Sequence, residues 1–196
     1  MKKLKTLTAI ITLVFIGILW YRWSYPDSWQ RLLFPLEYKE SIAQASEKYL
    51  LDPYLIAAII YVESKFDPVS ESRNGAVGLM QVMPNTGSWI ATKQGRKFSP
   101  GDLYRPEENI DMGCWYFNFL LGKYKDERLA LAAYNSGYKN VDRWLRIKRY
   151  KDIDAWVENI PFGETKQFVK RVQKTKKIYQ KNYPHAFREL PGQETM

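Results

Sequence analysis

Asp52-Pro53-Tyr54-Leu55-Ile56-Ala57-Ala58-Ile59-Ile60-Tyr61-Val62-Glu63-Ser64 is the stretch on which the reading of this chain turns. Aspartate followed by proline is a strong helix start, with Asp52 as N-cap and Pro53 in the first turn. Ile56, Ile59, Ile60 and Glu63 then fall at the i, i+3, i+4 and i+7 spacing of one helix face. A carboxylate thus closes an apolar stripe, in the last turns of a helix expected to run to Phe66. Desolvation raises a carboxyl pKa, and the negative end of the helix dipole acts in the same direction. Such a group is suited to hold a proton near neutral pH and to release it as a general acid. Periodicity leaves a second reading level with the first: a rim glutamate paired with one of the 30 lysines and arginines.

Two further pieces extend this reading along the chain. Val69 to Gln81 is rich in Ser, Asn and Gly and reads as an ordered loop, ending in Gly75-Ala76-Val77-Gly78-Leu79-Met80-Gln81-Val82-Met83-Pro84. Glycine permits positive φ and a close approach of backbone to a ligand. Gln81 can donate and accept, which suits sugar hydroxyls and acetamido groups. Taken alone, the loop reads better as a tight turn with two core methionines. The third piece, Ala133-Tyr134-Asn135-Ser136-Gly137, ends a helix capped by Asp126. It is either a helix stop with a buried tyrosine or a hydroxyl placed beside a reacting group. Spacing does not choose between them.

The remaining pattern is helical throughout. Helices are expected from Pro35 to about Leu50, from Pro84 through Ala91, from Pro106, from Asn140 to Ile147, and from Pro161 to about Tyr183. Ile110, Cys114, Phe117, Leu121 and Tyr124 form the stripe of the helix that Pro106 opens, which makes Cys114 an inert core thiol. No hairpin signal and no alternating strand run appears. The fold class expected is all-α, one domain from 35 to 185, without internal repeats, followed by a tail over 186–196.

Composition narrows the chemistry. The single histidine, His185, lies in a Pro-rich tail, and there is one cysteine. A Ser-His-Asp triad needs a histidine near its serine, and zinc needs three or four ligands. The catalytic group expected is therefore a carboxylate, with no metal and no cofactor. The net charge of +9 attracts polyanions, but no nucleic-acid motif accompanies it, so nucleic acid is not an expected partner. Lys166, Lys170, Arg171, Lys174, Lys176, Lys177 and Lys181 follow one another without an intervening acid and read as a basic strip on the last helix.

The N-terminus sets the expected location. Lys2, Lys3 and Lys5 precede a charge-free run from Thr6 to Tyr21, and Tyr21, Trp23 and Tyr25 follow as an interfacial aromatic cluster. No small-x-small cleavage pattern follows the apolar run. The expectation is a cytoplasmic stub at 1–5, an uncleaved single-pass signal anchor at 6–23, a linker at 24–34, and a body on the extracytoplasmic side of the cell membrane.

In this order, Glu63-Ser64, Gly78-Leu79-Met80-Gln81 and Ala133-Tyr134-Asn135 resemble the pattern of the SLT domain of family 1 lytic transglycosylases. Phe66-Asp67-Pro68, Ser72-Arg73-Asn74-Gly75-Ala76 and Trp156 to Thr165 resemble its intervening and last motifs, so the likeness spans about 40 to 180. The resemblance implies a lysozyme-like, goose-type fold acting on peptidoglycan glycan strands; the oligomeric state expected is a monomer. It implies cleavage between N-acetylmuramic acid and N-acetylglucosamine without hydrolysis, leaving a 1,6-anhydro end. By the same resemblance Glu63 is acid and then base. Ser72, Gly78, Gln81 and Met83 line the sugar and acetamido subsites, Tyr134 and Asn135 form the floor, and Glu164 is a further cleft glutamate. Phe168 departs from the family, which usually has tyrosine there. The alternatives are a muramidase-type hydrolase and a catalytically silent peptidoglycan-binding module.

Overall fold

Aspartate side chains cap the starts of three helices of this protein, at Asp52, Asp126 and Asp152. The computed structural model describes residues 2–24, 26–147 and 151–187, so the expected tail is described only as far as Phe187. The chain divides into two units, Met1–Leu36 and Glu37–Met196.

In the first unit α1 (Lys2–Ser24) covers the charge-free run, and α2 (Pro26–Leu33) occupies the segment expected as a linker. Leu7, Ile10, Ile11, Phe15, Leu19 and Trp20 are all exposed, on every side of α1. Among the described residues no helix is long and apolar enough to cross a membrane. At ~1.5 Å per residue the run from Leu7 to Trp20 covers ~21 Å, against a hydrocarbon core of ~30 Å.

The second unit holds α3 (Lys39–Tyr49), α4 (Pro53–Ser64), α5 (Pro84–Gln94), α6 (Pro106–Tyr124), α7 (Glu127–Ser136), α8 (Tyr138–Ile147), α9 (Ile153–Glu158) and α10 (Gly163–Asn182). Among the described residues there is no strand; two isolated bridges, Glu71 to Val77 and Val77 to Val82, fold the long loop back on itself. The all-α expectation holds for this unit.

α4 is the central helix. Every side chain from Leu55 to Ile60 is at most 2 % exposed. The apolar stripe expected of it is therefore an all-round apolar surface, the mark of a helix enclosed by others. α10 and α3 pack on it, α6 packs on α3 and α7, and α7 also meets α8 and α10. Each buried Ile or Leu contributes about 1.5–3 kcal/mol relative to exposure. Asp52 accepts from the backbone N–H of Tyr54 at 2.9 Å, and Asp126 accepts from those of Arg128 and Leu129 at 2.8 and 3.2 Å.

Several features differ from expectation. α3 starts at Lys39 rather than Pro35, because Tyr38 sits at φ 51° and no right-handed helix runs through a left-handed residue. α4 stops at Ser64, since Lys65 and Phe66 are both left-handed, at φ 58° and 67°. A single-turn 3-10 helix at Pro100–Tyr104 and the short α9 were not expected. The basic strip on α10 is also not a row of unpaired cations. Lys176 turns inward and bridges Asp52 at 3.0 Å and Glu127 at 2.9 Å, joining α10 to the starts of α4 and α7. Lys170 pairs with Glu158 at 2.6 Å, and the Lys166 amine donates to the Glu158 carbonyl at 3.0 Å. Lys174, Lys177 and Lys181 remain on the exposed side.

Candidate active site

The abrupt end of α4 makes the site. Two consecutive left-handed residues, Lys65 and Phe66, turn the chain away directly after Glu63-Ser64, so the carboxylate stands at the helix end. Ser64 is buried and its hydroxyl faces two carbonyls, Leu79 at 2.8 Å and Ile60 one turn back at 3.2 Å. The serine thereby fastens the loop to the helix that carries Glu63.

Asn109, fully buried on α6, holds the same loop from the other side. Its carbonyl accepts from the Met80 N–H at 2.7 Å, and its amide donates to the Val77 and Leu103 carbonyls, both at 2.8 Å. Gly78 lies against this fork at φ 78°. A Cβ there would stand 2.3 Å from the Asn109 amide nitrogen and 2.4 Å from the Leu103 oxygen. Gly113 plays a similar part on α6, since a Cβ on it would meet the Met80 sulfur at 2.4 Å. Asn109 was missed in the sequence. The available signal was a polar residue on the same helical face as Met112, Gly113 and Tyr116.

Tyr134, at the end of α7, donates its hydroxyl proton to the Met80 carbonyl at 2.7 Å. Burial raises its pKa strongly and the nearby Glu63 adds to the rise. Gln81 is left-handed at φ 48°, and its amide nitrogen donates to the Ser70 and Gly78 carbonyls at 3.1 and 3.0 Å. Both donor protons are consumed, so the glutamine presents only its oxygen, an acceptor. Asn135 accepts from the Thr165 hydroxyl at 2.8 Å, joining α7 to α10. Ser72 accepts from the Ala76 N–H at 2.9 Å within the loop and keeps its own proton to donate. Met83 caps α5 and is 37 % exposed. Among the described residues neither Ser72 nor Met83 hydrogen-bonds to Glu63, Tyr134 or Asn135.

Glu63 itself is part-buried, and among the described residues its carboxylate makes no hydrogen bond or ion pair. Burial pushes its pKa from an ordinary 4.5 up to about 8; Arg171 opposes the rise and Glu164 adds to it. Both modulators come from α10, seven residues apart and so on one face, with the buried Phe168 between them. Glu164 was expected in the cleft. Arg171 was read as one cation of a strip, and only the packing of α10 on α4 singles it out.

The arrangement is a carboxyl at a helix end whose pKa burial raises to about 8, with an unbound acceptor and an unbound hydroxyl donor on the loop beyond it. Residues 40–157, more than half of the chain, match the model of the transglycosylase SLT domain. The chain is 37% identical over 147 residues to the soluble lytic murein transglycosylase of Salmonella typhimurium, covering 71% of this chain and 22% of that protein. It is 31% identical over 168 residues to the membrane-bound lytic murein transglycosylase C of Edwardsiella ictaluri, covering 74% and 47%. Among solved structures, an inactive mutant of lytic transglycosylase Slt from Pseudomonas aeruginosa superposes with a TM-score of 0.74 at 33% identity, covering 79% of this chain and 25% of that one. The 70-kDa soluble lytic transglycosylase in complex with bulgecin A gives 0.73 at 33%, covering 78% and 25%. The chain thus spans about a quarter of the length of the first of these curated relatives, 22%. A lysozyme-like helical fold, the family's motifs in order and a domain match over most of the second unit place this chain in the transglycosylase SLT domain family.

Proposed function

We propose that this protein is a membrane-held lytic transglycosylase that cuts peptidoglycan strands between N-acetylmuramic acid and N-acetylglucosamine without consuming water. The observation that carries this reading is the Glu63 carboxyl, protonated at neutral pH through burial and left free of internal partners. Glu63 gives its proton to the bridging oxygen as the C1–O bond breaks. The resulting carboxylate takes the proton of the muramoyl C6 hydroxyl, whose oxygen bonds to C1. The acid is then regenerated and a 1,6-anhydro ring closes the strand, with atoms balanced. Two carboxylates are the usual glycosidase requirement; here Glu164 is exposed, and the substrate's own acetamido group supports the cationic centre. In this reading the Gln81 oxygen accepts from an acetamido N–H, the Ser72 hydroxyl donates to a sugar oxygen, and Met83 covers an apolar sugar face. Tyr134 and Asn135 keep the floor in shape through Met80 and Thr165.

The test is digestion of purified sacculi by the full-length protein in detergent, with the products weighed. The expected product ends in 1,6-anhydromuramic acid. A product heavier by one water, with a free reducing end, makes the protein a muramidase. Binding without release of sugar makes it a silent binding module.

α1 holds the domain at the membrane, with the body outside. Support comes from its apolar surface on all sides and from the membrane-bound relatives. Local bilayer thinning and the long stems of the flanking lysines accommodate a short apolar run at modest cost. Protein from producing cells is expected to resist carbonate extraction and to retain its first residues on N-terminal sequencing. A soluble product, or one starting beyond Tyr25, overturns this arrangement.

A further inference from the structure

The second unit carries a cluster of rings that core packing does not enclose. Trp89 on α5 meets Trp115 and Phe119 of α6 edge-on, with centroids 5.4 and 5.2 Å apart. Trp115 and Phe119, one helical turn apart, lie parallel within 1° at 5.9 Å. Tyr138, at the start of α8, meets Phe119 at 6.5 Å. Phe119 is 38 % exposed, and Trp89, Trp115 and Tyr138 are each part-exposed. These part-exposed rings leave aromatic surface in contact with water.

Ring contacts join the patch to Tyr134, which lies near Glu63. Tyr116 lies 6.4 Å from Phe119, nearly parallel, and 5.7 Å from Tyr134. The Tyr134 hydroxyl in turn holds the Met80 carbonyl. Ring-to-ring contacts therefore link Tyr134 through Tyr116 to Phe119. Hexose rings carry an apolar C–H face that stacks on flat aromatic surfaces while their hydroxyls stay in water. Indole and phenol rings suit such a half-wet contact.

We propose that Trp89, Trp115, Phe119 and Tyr138 form a carbohydrate platform that grips sugars of the glycan strand distant from the bond cut at Glu63. This rests on the glycan-strand reading above and adds to it a strand-length preference. The platform makes the protein favour long strands over short fragments.

The experiment measures binding of full-length protein in detergent to soluble glycan oligomers of increasing length. Glu63→Gln serves as the background, so that nothing is cut. Trp115→Ala with Phe119→Ala is expected to weaken binding of the longest oligomers at least ~10-fold, or ~1.4 kcal/mol, and binding of the shortest far less. Phe119→Ser alone, at the most exposed ring, is expected to act in the same direction with an unchanged melting temperature. With Glu63 restored, KM for long strands rises more than kcat falls. A folded Phe119→Ser protein with unchanged affinity at every length overturns the platform, as does an equal loss at every length. Unchanged affinity together with dissociation of a dimer assigns the rings to a second copy and likewise overturns it. A length-dependent affinity in a protein whose Glu63 form releases no sugar upholds the platform and sinks the catalytic reading.

Discussion

Glu63→Gln is expected to abolish strand cleavage while leaving the fold intact. Glutamine matches glutamate in shape but carries no transferable proton, and in the proposed reaction one group both gives and takes it. General acid–base catalysis contributes about 10²–10⁴-fold, and both half-reactions pass through this carboxyl, so the loss should reach the upper end of that range. Release of soluble product from sacculi is the measurement. Activity within ~10-fold of the parent, below the range for such a group, would remove Glu63 from the mechanism.

The same substitution has an opposite effect on stability. With a folded pKa near 8 against an ordinary 4.5, the native state binds this proton more tightly than the unfolded chain does. Stability is then fullest below the unfolded value and declines as pH rises through the folded one. A glutamine side chain does not ionise, so the Glu63→Gln variant escapes that decline. Its melting temperature should overtake the parent's as pH is raised, by about 2–4 °C for each kcal/mol. Activity follows the same proton and falls on the alkaline side as Glu63 ionises. Arg171→Met removes the opposing cation and should move that limb to higher pH, whereas Glu164→Gln should move it lower. Shifts of the same sign for both would show that α10 acts on the site by shape rather than charge.

What was legible in the sequence was local. Asp52-Pro53 and Asp126 are helix starts whose capping partners lie within three residues, Pro84 opens its helix through its own fixed φ, and the structure honours each one. α9 carried a signal of the same kind, Asp152 accepting from the Ala155 N–H at 2.8 Å, but its six residues are too few to show a period. Glu63 could be singled out because α4 ends in a carboxylate after an unbroken apolar run. The bonding state of Gln81 was not legible, because its donors are consumed by the Ser70 and Gly78 carbonyls, and only the folded loop brings those within reach. Arg171 and Lys176 looked alike in a row of cations. Their different fates depend on the turn of α10 against α4 and α7, a tertiary fact.

Gly78→Ala is expected to be the most damaging single-methyl addition in the domain. The φ of 78° already costs a non-glycine residue about 1–2 kcal/mol. The new Cβ would also overlap the Asn109 amide at 2.3 Å and the Leu103 oxygen at 2.4 Å. Neither can yield cheaply: the amide makes two donor bonds at 2.8 Å, and the oxygen is backbone. Relieving the overlap breaks at least one buried hydrogen bond, at about 1–3 kcal/mol. The total loss should therefore reach about 2–5 kcal/mol, read as a lower denaturation midpoint in urea. The displaced loop carries Leu79, Met80 and Gln81, so Ser64 and Tyr134 lose their carbonyl partners and cleavage falls along with stability. Asn109→Asp separates the two causes. It keeps the shape and leaves Gly78 unclashed, but two carbonyls lose their donor and a charge is buried, so stability should fall without any steric term. If Gly78→Ala costs less than ~1 kcal/mol, below the αL penalty plus a lost bond, and retains full cleavage, the loop is not clamped to α6 as described. In that case Gly78 is a turn residue alone, and the Asn109 fork plays no part in holding the loop that carries Gln81.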